Sequence, residues 1–307
     1  MRRFRRPALG AAVLALGLVL SACRPGGGGT TQTEEDKGTV VVGVSGAFAE
    51  NQIVAEMYAQ VLEEAGYEVQ RQLSIETRET SQPSLEEGEI DLKPEYLLSL
   101  LLFYDSDAGA LTDPQEVVEE LEPVLEEKDI SVLEPSQAND TNALVVTKET
   151  AEEFELTTIA DLEPVAGQLV FGGPAECPER PLCQIGLTEK HQIEFERFEP
   201  IGACDAPTAT ALKEGAIDVA LLCSTQSVIA SEGHVVLEDE EGAVSGADHI
   251  TPVIRTSVLN DEIEELLNEV SAALTTEKIL DLNSKVEIDR EDADAVAKQF
   301  LTDEGIL

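Results

Sequence analysis

The run "GTVVVGVSG" (38–46) is continuously apolar and ends in Ser and Gly, the pattern of a buried strand followed by a loop. In the next segment, "NQIVAEMYAQVLEEAG", Ile53, Val54, Met57, Val61 and Leu62 recur at helical spacing, and Gly66 marks the stop. "YEVQRQL" then alternates as a half-buried strand does. Strand–helix–strand units of this kind recur along the chain and predict an α/β fold with mixed, mostly parallel sheets.

A second pattern divides the chain in two. "SLEEGEIDLKPEY" (84–96) and "ALKEGAIDVALLC" (211–223) echo each other at a constant offset. Each reads as a helix end, a C′ glycine (Gly88, Gly215) and a strand led by Ile-Asp (Ile90-Asp91, Ile217-Asp218). The same offset sets Tyr96 against Cys223 and Thr77 against Cys204. Two similar α/β lobes are expected, and open α/β sheets bind ligands at the carboxyl ends of their strands. Facing lobes then enclose a cleft. "SVLNDEIEELLNEVSAALT" and "DADAVAKQFLTDEGIL" carry apolar stripes of amphipathic helices, with Asn260 or Asp261 as N-cap, and are expected to pack back on the first lobe.

The front end differs from all of this. Arg2, Arg3, Arg5 and Arg6 precede an apolar stretch from Ala8 to Leu20. That stretch is shorter than the roughly 20 apolar residues a bilayer span needs, and its flanks are those of an export signal. Leu20-Ser21-Ala22-Cys23 resembles the lipobox of bacterial lipoproteins, whose cysteine is diacylated and becomes the new N-terminus. The expectation is a signal peptide over 1–22, lipidation at Cys23, a flexible Gly-rich tether over 23–38, and a body held on the outer face of the cytoplasmic membrane.

Charge narrows the partners. With 62 acidic against 20 basic residues the formal net charge is −42, which repels nucleic acid and anionic headgroups. A salty medium accounts for the acidity better than an acid-rich active site does. The three histidines (His191, His234, His249) are scattered, so neither metal nor other cofactor is expected. Four cysteines beyond Cys23 in an exported chain suggest disulfides, and "CPERPLC" points to a Cys177–Cys183 bridge. The chain carries no GxSxG, HExxH or Gly-rich phosphate loop, so no enzyme is expected.

The segments "GVSGAFAENQIVAEMYAQVLEEAGYEV", "GEIDLKPEY", "NDTNALVV", "LVFGGPAECPERP", "ALKEGAIDVALL" and "VVLEDE" occur in an order that resembles the osmoprotectant class of ABC-importer binding proteins, those for glycine betaine, choline and related quaternary amines. The resemblance covers about residues 39–307. It implies a two-lobed, hinged binding protein with type II topology, lobe one formed by 39–143 and 250–307 and lobe two by 144–249. It also implies a membrane permease as partner and a cage of aromatic faces around the cation, which has no proton to donate.

The chain departs from that pattern at the cage. Tyr96 occupies one cage position, but Asn142 and Cys223 stand where tyrosines are usual, and Cys177 where an aromatic is common. "LLSLLLFYD" reads as an apolar helix face, placing Phe103 and Tyr104 in the core. Cys204 and Cys223, beside the implied cleft, are expected to be joined. The resemblance implies a ligand site built from Ser45, Phe48, Glu50, Thr77, Tyr96, Asn139, Asp140, Thr141, Asn142, Ser224 and Thr225, serving a small osmolyte. The alternatives are a non-quaternary solute in the same fold, or a surface protein without a ligand.

Overall fold

The computed structural model describes residues 37–45, 49–75 and 77–307. The expected signal, Cys23, the tether up to residue 36 and Phe48 lie outside the described residues, as does the side chain of Ser45.

Valines on alternate positions of "TVVVGVS" make β1 (Thr39–Ser45) the inner strand of a first sheet. It is flanked by β2 (Glu68–Ile75) and β3 (Leu92–Tyr96). A short β4 (Ile130–Val132) and the late-coming β10 (Ile250–Arg255) complete the order β2-β1-β3-β10-β4. The second sheet holds β5 (Asn142–Val146), β6 (Val170–Gly173), β7 (Arg197–Pro200), β8 (Val219–Cys223) and β9 (Val235–Val236) in the order β7-β6-β8-β5-β9. The same arrangement therefore occurs twice. Each sheet contains two parallel and two antiparallel pairings, so the sheets are evenly mixed rather than mostly parallel. The reason is topological: β5 and β10 carry the chain from one half to the other, enter their new sheets from the cleft side and run against their neighbours.

Helices α1 (Ala49–Glu64), α2 (Arg78–Glu87), α3 (Leu97–Tyr104) and α4 (Pro114–Glu126) belong to the first half. The second half carries α5 (Lys148–Phe154), α6 (Gly186–His191), α7 (Ala206–Lys213) and α8 (Ser227–Ser231). The tail forms α9 (Asp261–Ala273), α10 (Thr276–Glu287) and α11 (Ala293–Asp303), and all three return to α1. That is why α1 is buried on most of its circumference. Its Ile53, Met57, Tyr58 and Leu62 share one core with Leu267, Val270, Leu282 and Leu301 from the tail. Asn260 caps α9 by accepting the amide N–H groups of Glu262 and Ile263, and Asp113 and Asp205 cap α4 and α7 in the same manner.

The echo in the sequence is a repeated structural device. Gly88 (φ 77°) and Gly215 (φ 72°) turn the chain in the left-handed region, where a side chain is costly. The isoleucine two residues on then packs flat against a glycine of the neighbouring inner strand. A Cβ on Gly43 would lie 2.6 Å from Ile90, and one on Gly172 would lie 2.5 Å from Ile217. Next in line, Asp91 donates its amide to the Val41 carbonyl (2.7 Å), and its carboxylate accepts the Val41 N–H (2.9 Å). Asp218 does the same to Val170, at 2.9 and 2.8 Å. The Ile-Asp pair thus sets the register of β3 on β1 and of β8 on β6.

This packing yields a test. Gly172→Ala should destabilise the protein by about 1–3 kcal/mol through overpacking. Ile217→Val, which removes the clashing methyl, should recover part of that loss in the double variant, read as a coupling energy from denaturant unfolding. Additive effects of the two changes would show that the contact does not set the register.

Candidate functional site

The carboxyl ends of the parallel strands in the two sheets face one another across a cleft of about 630 Å³. From the first half it is lined by Val44 at the end of β1, Thr77 after β2, Tyr96 at the end of β3 and Ser99 and Phe103 on α3. The opposite wall is the loop from Pro174 to Leu182 after β6, the turn Ile201–Asp205 after β7, and Cys223 at the end of β8. Two disulfides brace that wall, Cys177–Cys183 closing the loop and Cys204–Cys223 joining the turn to β8. A bridge over a span of 19 residues is worth about 3 kcal/mol of stability on chain-entropy grounds.

The floor is ionic. Glu95 on β3 is gripped by Arg78, whose Nη2 lies 2.8 Å away, and by Lys93, whose Nζ lies at 2.6 Å. Lys93 also donates to Ser81 Oγ (2.9 Å). Burial alone pushes the Glu95 carboxyl up, but Arg78 and Lys93 overcome it and hold it down to about 2. Asp248 accepts the Ser99 amide (2.7 Å) and hydroxyl (2.8 Å), and burial raises its carboxyl despite both bonds. Across the mouth, Arg180 of the braced loop reaches Glu79 of α2 at 2.7 Å, an ion pair between the halves.

Behind the cleft lies a second polar cluster, at the seam where the halves join. Glu50, in the first turn of α1, is buried and accepts the hydroxyls of Tyr96 (2.8 Å) and Thr225 (2.7 Å) and the amide of Asn283 (2.9 Å). Asp140 accepts the Ser224 hydroxyl (3.1 Å) and the Thr225 N–H (3.0 Å) through one oxygen, Oδ1. Burial raises the Glu50 carboxyl, and burial followed by the charge of Glu50 pushes Asp140 well above the ordinary carboxylate range. The seam is tightened by Asn283, which also donates to the Thr225 carbonyl, and by Glu287, which accepts the Ser227 N–H.

The expected ligand residues separate between these two clusters. Thr77, Tyr96, Asp140 and Asn142 line the cleft, as do Cys204 and Cys223. Glu50, Thr141, Ser224 and Thr225 do not; their hydrogen bonds run along the seam behind it. Asn139 donates its backbone N–H to the Thr276 hydroxyl oxygen and pairs with His249 in an isolated bridge, a further link between crossover and tail. Ser45 closes β1, paired with Ile75. Phe103 was expected in the core but is 37% exposed and lines the mouth, because α3 turns its last residues towards the opening. Tyr104 donates to Glu86 and accepts from Gln82, beside rather than within the cleft. The Arg78–Glu95–Lys93 floor went unrecognised in the sequence, although "LKPEY" places Lys93 and Glu95 on the same strand face.

The model for the substrate-binding domain of ABC-type glycine betaine transport systems matches residues 38–303. The chain belongs to this family. Among curated relatives, the glycine betaine-binding protein YehZ of Escherichia coli (strain K12) is 25% identical over 268 residues, covering 83% of this chain and 88% of its own. The carnitine transport binding protein OpuCC of Listeria monocytogenes serotype 1/2a (strain 10403S) is 24% identical over 295 residues, covering 94% and 93%. In fold, the chain is similar to a glycine betaine/carnitine/choline ABC transporter structure (TM-score 0.67, 20% identity, 87% of this chain and 98% of that one). It is also similar to a choline-binding protein solved with choline (TM-score 0.64, 17% identity, 87% and 89%). The family is one of type II binding proteins, whose paired sheets match the topology described above.

The raised carboxyls at the seam set a pH dependence. A carboxyl whose folded pKa lies above its unfolded value of about 4 adds stability that is complete below that value and lost as pH climbs through the raised one. Wild-type unfolding free energy should therefore fall as pH climbs above about 4, through Glu50 and Asp140. Asp140→Asn, which cannot ionise, should flatten that fall; parallel curves for the two proteins would refute the assignment. Glu95, with its lowered pKa, acts in the opposite sense and only below about pH 4, outside this window.

Proposed function

We propose that this protein is the extracytoplasmic solute receptor of an ABC importer. It captures a small osmolyte, such as glycine betaine, choline or a related amine, and delivers it to a membrane permease. The supporting observation is the cleft itself: walls from both halves meet at the carboxyl ends of parallel strands, in a chain that belongs to a glycine betaine transport family. The lobes are residues 39–143 with 250–307, and 144–249, closing about the crossover strands β5 and β10. The Arg180–Glu79 pair across the mouth is a contact that suits the closed form. On this reading Cys23 is lipidated after removal of 1–22, and residues 23–38 leash the body to the outer face of the cytoplasmic membrane.

Thermal unfolding across glycine betaine, choline, carnitine, ectoine and amino acids tests the receptor role. A true ligand at a hundredfold its dissociation constant should add about 2.7 kcal/mol, while a flat response to every compound would favour a surface protein without a ligand. Stoichiometric binding with unchanged solute separates a receptor from an enzyme. For the anchor, Cys23→Ser should abolish incorporation of labelled fatty acid and release the protein from the membrane fraction. Retention of the label would place the lipid elsewhere.

A further inference from the structure

The basic side chains that line the cleft, Arg78, Lys93 and Arg180, stand in different surroundings. Lys93 is buried, with its Nζ held by Glu95 and Ser81. Arg180 lies at the mouth and is turned to Glu79. Arg78 combines shelter with an opening, since its side chain is 15% accessible and lines the cleft.

Only one edge of the Arg78 guanidinium is used. Nε and Nη2 donate to the Glu95 carboxylate at 3.0 and 2.8 Å, while Nη1 has no hydrogen-bond partner among the described residues. A planar fork pinned along one edge holds its remaining N–H groups in a fixed direction, ready for a carboxylate. Charge favours the same occupant. Glu95 offsets one of the two cations that grip it, so the trio keeps one net positive charge. Asp248, the neighbouring carboxylate, is taken up by the Ser99 amide and hydroxyl. Arg78 is also the first residue of α2, a helix end that adds to the attraction for negative charge. The ring faces of Tyr96 and Phe103 line the same cleft and suit the methylated end of a zwitterion.

Resting on the receptor reading above, we propose that Arg78 is the carboxylate anchor of the cleft. Its Nη1 donates to the carboxylate of a zwitterionic osmolyte, and the cleft prefers such a solute to a cation with the same head and no carboxylate. A half-sheltered guanidinium edge left without an acceptor is unfavourable, and a charged acceptor repairs that most strongly.

Calorimetric titration of the intact protein with glycine betaine, its methyl ester and choline tests this. All three share the trimethylammonium head, and only the first carries a carboxylate. Wild-type affinity should be about ten- to hundredfold higher for glycine betaine than for the other two. Arg78→Lys keeps a cation beside Glu95 but removes the second amino group, and should narrow that gap by weakening glycine betaine more than choline. Equal losses for both would mark Arg78 as purely structural and overturn the assignment. The wild-type comparison holds even if the variant does not fold: choline or the ester bound as tightly as glycine betaine overturns the inference and leaves the receptor reading intact. Binding of none of the three, with a response to another compound of the thermal panel, has the same consequence. If nothing in either set binds, both readings fall together.

Discussion

A buried carboxylate needs its donors delivered to it, and Glu50 receives them from three separate parts of the chain. Tyr96 comes from the end of a strand in the first sheet, Thr225 from just beyond a strand of the second, and Asn283 from a helix of the tail. Leaving such a group unpaired in a low-dielectric interior would cost several kcal/mol, so the positions of these three elements are mutually constrained. Where they meet, the crossover strands pass between the halves, and Asp140 brings a second carboxyl into the same pocket. The geometry of the cleft follows from how this seam is satisfied.

On either side of the seam the same local unit is used twice. An isoleucine laid on a bare glycine and an aspartate bonded in both directions to one residue of the neighbouring strand hold β3 on β1 and β8 on β6. Because register is pinned near the amino ends of β3 and β8, their carboxyl ends are delivered at corresponding levels, with Tyr96 and Cys223 at the rim. The two rims are stiffened differently. Arg78 and Lys93 clamp Glu95 on the first, and breaking such a buried ionic group by removing one partner typically costs about 3–5 kcal/mol. Disulfides do the corresponding work on the second.

The cleft that results is polar where relatives in its family are described by quaternary solutes in their names. Carboxylates outnumber available cations along it, in a chain whose formal charge is already −42. At that charge, long-range fields favour a cationic or zwitterionic visitor over an anion, an effect that salt screens beyond about 10 Å. At short range the lining that the cleft presents includes the ring faces of Tyr96 and Phe103, both from the first half.

Much of this architecture is written locally. Helical and strand periodicities, the cap at Asn260, the turn glycines Gly88 and Gly215 and the paired "EGEIDL" and "EGAIDV" segments each depend on residues a few positions apart, so they and the twofold plan could be read without coordinates. The direction of the crossover strands could not, since it depends on which edge of a distant sheet is vacant. Nor could the division of Glu50, Asp140, Thr141, Asn142, Ser224 and Thr225 between seam and cleft: neighbours in sequence point to opposite sides of a strand end, and only packing between the halves decides which side is solvent. Phe103 makes the same point in reverse. Its apolar helix reads as core throughout, yet the ring at the end of α3 is 37% exposed and lines the cleft.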